Sequence, residues 1–146
     1  MQTFLPYESF TMSAAVLDTK RLGKQRVEAW QIYKALTVPN YGWKNHPAVQ
    51  QWIGYEYALL QYGIDICNAW ISCGYKDTMK QRFVDALGDN TVIWPKWLGL
   101  ASYHDSHKRM LLEKDYKHYS AEFGPHETNR VMQLKPQYVW PSQLTT

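Results

Sequence analysis

Two long stretches of helical periodicity, separated by a loop dense in helix breakers, constrain this chain more than any other feature. From about residue 11 to 37, Val16, Leu17, Val27, Trp30, Ala35 and Leu36 fall roughly on one side, the pattern of an amphipathic helix. Ser9 or Thr11 can cap its start. Gly23 costs that helix about 1 kcal/mol relative to Ala, and it permits either a break or a close approach by another chain. Residues 38–47, VPNYGWKNHP, read as a loop, because Pro39, Asn40, Gly42, Asn45 and Pro47 punctuate them. Pro47 then suits the first turn of a second helix over about 47–73. That helix has a wide apolar side of Val49, Trp52, Ile53, Tyr55, Leu59, Leu60, Ile66 and Trp70. Gly63 interrupts it, and Gly74 is a natural cap at its end.

The remainder continues the helical theme. Residues 76–87 form a shorter third helix with Met79, Phe83 and Leu87 buried, followed by a turn at 88–90. Residues 91–99 are extended or irregular, or form a short strand, with Pro95 opposing a central one. A last helix covers about 101–119, and the tail from 120 wraps the body and ends in a frayed terminus. At the start, Phe4, Leu5 and Phe10 pin MQTFLPYESF to the body, which gives the α-amine a definite location. The expected class is all-α: a compact single-domain bundle over residues 1–146, with three to four main helices and long ordered loops.

Composition excludes several functional classes. At 45% apolar and 20% charged the chain is not disordered. No apolar stretch approaches 18 residues, so no membrane span is expected, and no secretory signal is read. Cys67 and Cys73 have neither redox-pair nor zinc-knuckle spacing and read as free thiols of a reducing, cytoplasmic setting. No cofactor motif is present and no obligate protein partner is implied. Rings make up 15% of the chain, more than a small core needs, so some are available to stack on bases or form an interface. The formal net charge of +3 is a weak pointer to an anionic partner.

The sharpest chemical feature is DTKRLGKQRVEAW at 18–30, where Lys20, Arg21, Lys24 and Arg26 crowd a single acid, Glu28. One reading is a solvated face with ion pairs such as Lys24 with Glu28. The other is a phosphate-binding face, including Arg21, Lys24, Gln25 and Arg26, that holds one carboxylate for chemistry. A second feature is YGWKNHP at 41–47, where Lys44, Asn45 and His46 precede a helix start able to receive phosphate. A third is the basic patch of His104, His107, Lys108 and Arg109, which extends the anion-binding surface or is a plain helix face. His104 and His107 have a spacing that lets both face one metal, but no third ligand is evident, and no metal site is assigned.

In order along the chain, LDTKRLGKQRVEA at 17–29, the segment from His46 to Thr78 and HDSHKRMLLEKDYKHY at 104–119 resemble the pyrimidine-dimer DNA glycosylase family. The chain looks closer still to a bacterial and phage branch that begins MQTFLP and carries the same LGKQR and GWxNHP strings. The resemblance implies an all-helical fold with the N-terminus inside the active site and duplex DNA bearing a damaged or modified base as substrate. It also implies a catalytic glutamate six residues after a leucine, which Leu22 and Glu28 match. Arg21 stands where the family has a histidine, and Val27 stands where it has an arginine. The family's nucleophile is the α-amine exposed when the initiator methionine is removed; it forms a Schiff base at the sugar of a flipped-out nucleotide. Gln2 is bulky enough for Met1 to be retained, which moves the amine to Met1. α-Amines in general have a useful neutral fraction at pH 7. Trp30, Trp43 and Trp52 are candidate walls for an extruded base. Two other readings are an enzyme of the same fold acting on a nucleotide, nucleoside or modified base, and a non-catalytic nucleic-acid- or protein-binding module.

Overall fold

A computed structural model describes residues 1–143. It is all-helical, with elements α1 (Phe10–Val16), α2 (Thr19–Thr37), α3 (Pro47–Gln50), α4 (Glu56–Ser72), α5 (Lys80–Leu87), α6 (Ala101–Lys114) and α7 (Tyr116–Met132). No strand occurs among the described residues, and no helix there is long and apolar enough to cross a membrane. The helices α2, α4, α6 and α7 are the four main ones. Two compact units emerge, one of residues 1–3 and 19–96, the other of residues 4–18 and 97 onward.

In the first unit, α4 packs on both α2 and α5. The buried stripe of α2 is Leu22, Gln25, Ala29, Ile32 and Ala35, a spacing of three and four that keeps one face inward. One member of that stripe, Gln25, is polar. From α4 come Ala58, Leu59, Leu60, Tyr62, Ile66 and Cys67, and the turns after α3 contribute the buried Trp52. The glycines of the two long helices are contact points. A Cβ on Gly23 would lie 3.1 Å from the Trp70 ring, and one on Gly63 would lie 2.3 Å from the Phe83 ring. Gly23 therefore serves a close approach, by Trp70 of the same chain, and neither glycine breaks its helix.

The predicted helix over 11–37 instead breaks at Leu17, which is extended (φ −68°, ψ 137°). In the second unit His118 binds the Val16 carbonyl through Nε2 at 2.8 Å, and the Asp18 N–H donates to the Tyr119 hydroxyl at 3.1 Å. The Tyr119 hydroxyl also donates to the Asp18 carboxylate. These bonds hold residues 16–18 out of helical register. The helix predicted over 47–73 is likewise split, into α3 and α4, by turns at 51–54. The third helix starts later than expected, at Lys80, and Leu87 is only half-buried. Residues 91–99 are irregular, as expected.

The tail after 120 is corrected most. What the sequence suggested as one helix to 119 is two, and α7 carries the chain to Met132 across a kink at Gly124 (φ 82°) and Pro125. Asp115 separates them and caps α7 by accepting the His118 N–H. The expected frayed terminus lies in part outside the described residues.

Candidate active site

The first unit brings the beginning of the chain onto α2. The Gln2 N–H donates to Glu28 Oε2 at 3.1 Å. Gln25, one turn earlier on α2, donates from Nε2 to the Gln2 carbonyl at 2.8 Å and lies 3.4 Å from Glu28 Oε2. The Tyr62 hydroxyl on α4 donates to Gln25 Oε1 at 2.7 Å. On the other side, the Gln2 side-chain oxygen accepts from the Thr3 N–H at 2.9 Å, and Thr3 Oγ1 accepts from Trp52 Nε1 at 3.1 Å. Gln2 and Thr3 are buried, and Met1 is half-buried. Residue 2 is thus gripped at its N–H, its carbonyl and its side chain, which fixes the adjoining residue 1 beside the Glu28 carboxylate.

His46 stands close enough for the N-terminal charge to act on it. Burial, and then that charge, hold its imidazole below the ordinary histidine value, so the ring is neutral at neutral pH. Its Nδ1 accepts the Ala48 N–H at 3.0 Å and caps α3. The short helix therefore presents its first donor to His46, contrary to the expected phosphate seat. Exposed Lys44 and Asn45 precede it, together with Trp43, which is 59% exposed at a φ of 74°. A positive φ is strained for a bulky residue. The Trp43 ring lies 6.2 Å from that of His46, edge to face.

Glu28 also borders a groove of ≈ 540 Å³ whose lining includes Lys20, Lys24, Val27, Gln31 and Trp70. Such a volume suits a small organic group. The groove is therefore walled by one indole, carries two lysines and has a single carboxylate on its border.

The remaining expected site residues divide. Arg21 is half-buried and Lys24 exposed. Gln25 faces the interior, so it contacts the chain start in place of phosphate. Arg26 is bound to the buried Asp77 carboxylate at 2.6 Å and lies over the Trp70 ring at 4.5 Å. The pairing holds Asp77 below the usual carboxylate range despite its burial. Trp52 belongs to the core. Half-buried Trp30 stacks on Tyr33 and meets Phe83 edge-on.

His104, His107, Lys108 and Arg109 belong to the second unit and are buried there. The expected exposed basic patch is therefore corrected. His107 Nδ1 accepts the Leu5 N–H at 2.9 Å, and His104 Nδ1 lies 2.8 Å from the Leu5 carbonyl. Burial, with a smaller effect of His104, drives His107 down to about 3. Lys108 is paired with Glu127 at 2.7 Å, and Arg109 with Glu113. The two histidines are interior anchors of the backbone at Leu5, and the two cations are spent on carboxylates of their own unit, so the four do not form an exposed surface for an anion. Among the described residues no three His, Cys, Asp or Glu side chains are grouped to hold a metal.

Sequence reasoning did not single out Thr3 or Tyr62, and it placed Trp70 only on the apolar side of the second helix. Gln25 offered the available signal, because a glutamine in register with Leu22, Ala29 and Ile32 must find buried partners. Comparison with known proteins gives one family, described as pyrimidine dimer DNA glycosylase, which matches residues 1–82. No curated protein and no solved structure gives a significant match. The matched residues include the chain start, α2, His46 and Tyr62, and end before 104–119.

Proposed function

Because the chain belongs to the pyrimidine dimer DNA glycosylase family, we propose that it releases damaged or modified pyrimidines from duplex DNA, using Glu28 and the N-terminal amine. The observation that carries this reading is the 3.1 Å hydrogen bond from the Gln2 N–H to Glu28, which sets the first residue beside a lone acid. The neutral amine attacks C1′ of the damaged nucleotide. As the N–C1′ bond forms, the bond to the base breaks, and the base departs with that electron pair and takes up a proton. The amine loses its protons, O4′ gains one as the sugar ring opens, and an imine joins C1′ to the protein.

Glu28 stabilises positive charge developing at C1′ and O4′ and shuttles protons. Arg21, Lys24 and Lys44 neutralise flanking phosphates, so binding weakens as salt rises. Exposed Trp43 offers a ring face to an unstacked base. Strand cleavage follows if a base removes the 2′ proton of the imine and the 3′ phosphate leaves.

The test is a panel of duplexes carrying pyrimidine dimers or modified pyrimidines. The protein should release base from at least one, and Glu28→Gln should bind that duplex but not process it. No release from any duplex refutes the reading. Retained processing by Glu28→Gln removes Glu28 from it. The size of the groove beside Glu28 favours one alternative, a nucleotide- or nucleoside-processing enzyme. Calorimetry separates the two, since that alternative requires a mononucleotide to bind more tightly than duplex DNA.

A further inference from the structure

We propose that Gln25 and Tyr62 are positioning residues that set where the chain start stands relative to Glu28; the inference rests on the glycosylase reading of that pair. The two acceptors facing Gln25, the Gln2 carbonyl and Glu28 Oε2, both demand the NH2 end of its side-chain amide. Turned the other way, the amide oxygen would oppose a carbonyl and a carboxylate. The Tyr62 hydroxyl donates to Gln25 Oε1 at 2.7 Å and so favours the required orientation from the opposite end. Gln25 is 1% exposed and Tyr62 fully buried, so water does not compete at these bonds. Hydrogen bonds at low local dielectric are strengthened, and chains of them rigidify what they hold. The result is a clamp in which a tyrosine on α4 orients a glutamine on α2. The glutamine holds the carbonyl of the same residue whose N–H meets the acid.

Tyr62 does not reach Glu28, and Gln25 reaches it only through the long 3.4 Å contact to Oε2, so the signature is geometric. Tyr62→Phe keeps the ring in the core and removes only the hydroxyl. It should slow single-turnover base release about tenfold with duplex affinity changed less than about threefold. Gln25→Ala should slow it more. In the double variant Tyr62→Phe should add less than about twofold, because its effect is exerted through Gln25. Independently of activity, hydrogen exchange at the Gln2 amide should speed up about tenfold in Tyr62→Phe and in Gln25→Ala. Additive rate losses, or Gln2 exchange equal to wild type in both variants, overturn the proposal. If the wild-type protein releases no base, the glycosylase reading fails, and Gln2 exchange alone decides the clamp. If Gln25→Ala does not fold, Tyr62→Phe carries the exchange test.

Discussion

Replacing Gly63 by alanine opposes two effects of known sign, and the structure determines which wins. In an ordinary helix interior the change is favourable by about 1 kcal/mol. Here the added Cβ would lie 2.3, 2.4 and 2.6 Å from three carbons of the Phe83 ring. Carbon atoms rest about 3.5–4.0 Å apart, so the ring must retreat by roughly 1 Å or more. It has little room, because Phe83 is fully buried and Trp30 stands edge-on with its centroid 5.4 Å away. Overpacking of this kind costs about 1–3 kcal/mol, occasionally more. Contacts under 3 Å belong in the upper part of that range, about 2–3 kcal/mol; less the helix gain of about 1 kcal/mol, the net expectation is a loss of about 1–2 kcal/mol, a fall in Tm of about 3–8 °C. Thermal unfolding followed by circular dichroism measures it. Phe83→Leu, destabilising alone, should cost less in the Gly63→Ala background, with a coupling of about 1 kcal/mol. A Gly63→Ala protein as stable as wild type, or more so, would refute the steric account.

Further outcomes follow from the same geometry. Removing the Asp77 carboxylate by Asp77→Ala leaves Arg26 without its buried partner and should cost about 3 kcal/mol in urea unfolding; a change under about 1 kcal/mol would contradict this. His107 is held at about 3 by burial, so below pH 6.5 the unfolded chain takes up a proton that the folded chain does not. Stability should then drop by about 2 kcal/mol for this histidine between pH 6.5 and pH 4.5, and a flat profile over that range argues against a buried neutral ring. Native protein should yield one reactive thiol, the exposed Cys73, because Cys67 is buried and its thiol is pushed up to about 12. Trp43→Gly relieves a positive φ and should raise Tm while weakening duplex binding about tenfold. Duplex affinity unchanged in the variant would detach Trp43 from DNA.

The sequence made the helical class legible because apolar periodicity is local. Its boundaries were less so. Leu17 leaves the helix because His118 and Tyr119, a hundred residues away, bind residues 16–18. No local pattern encodes that. Around the candidate site, the lone Glu28 amid basic residues was visible, and so was the ordered start of the chain. The bond between them was not, since it joins residues 26 positions apart. The basic run on α2 misled at Arg26 and Gln25, which face Asp77 and Tyr62. His104, His107 and Lys108 misled more, because titratable side chains spent on buried backbone and on a half-buried carboxylate look in sequence like a surface patch.

The most direct measurement is borohydride reduction of the protein with a duplex it processes, followed by mass-spectrometric mapping of the adduct. The account predicts a reduced sugar linkage on the α-amine of the first residue, and none accumulating with Glu28→Gln. An adduct on a lysine, or base release with no trappable linkage at the first residue, would contradict it.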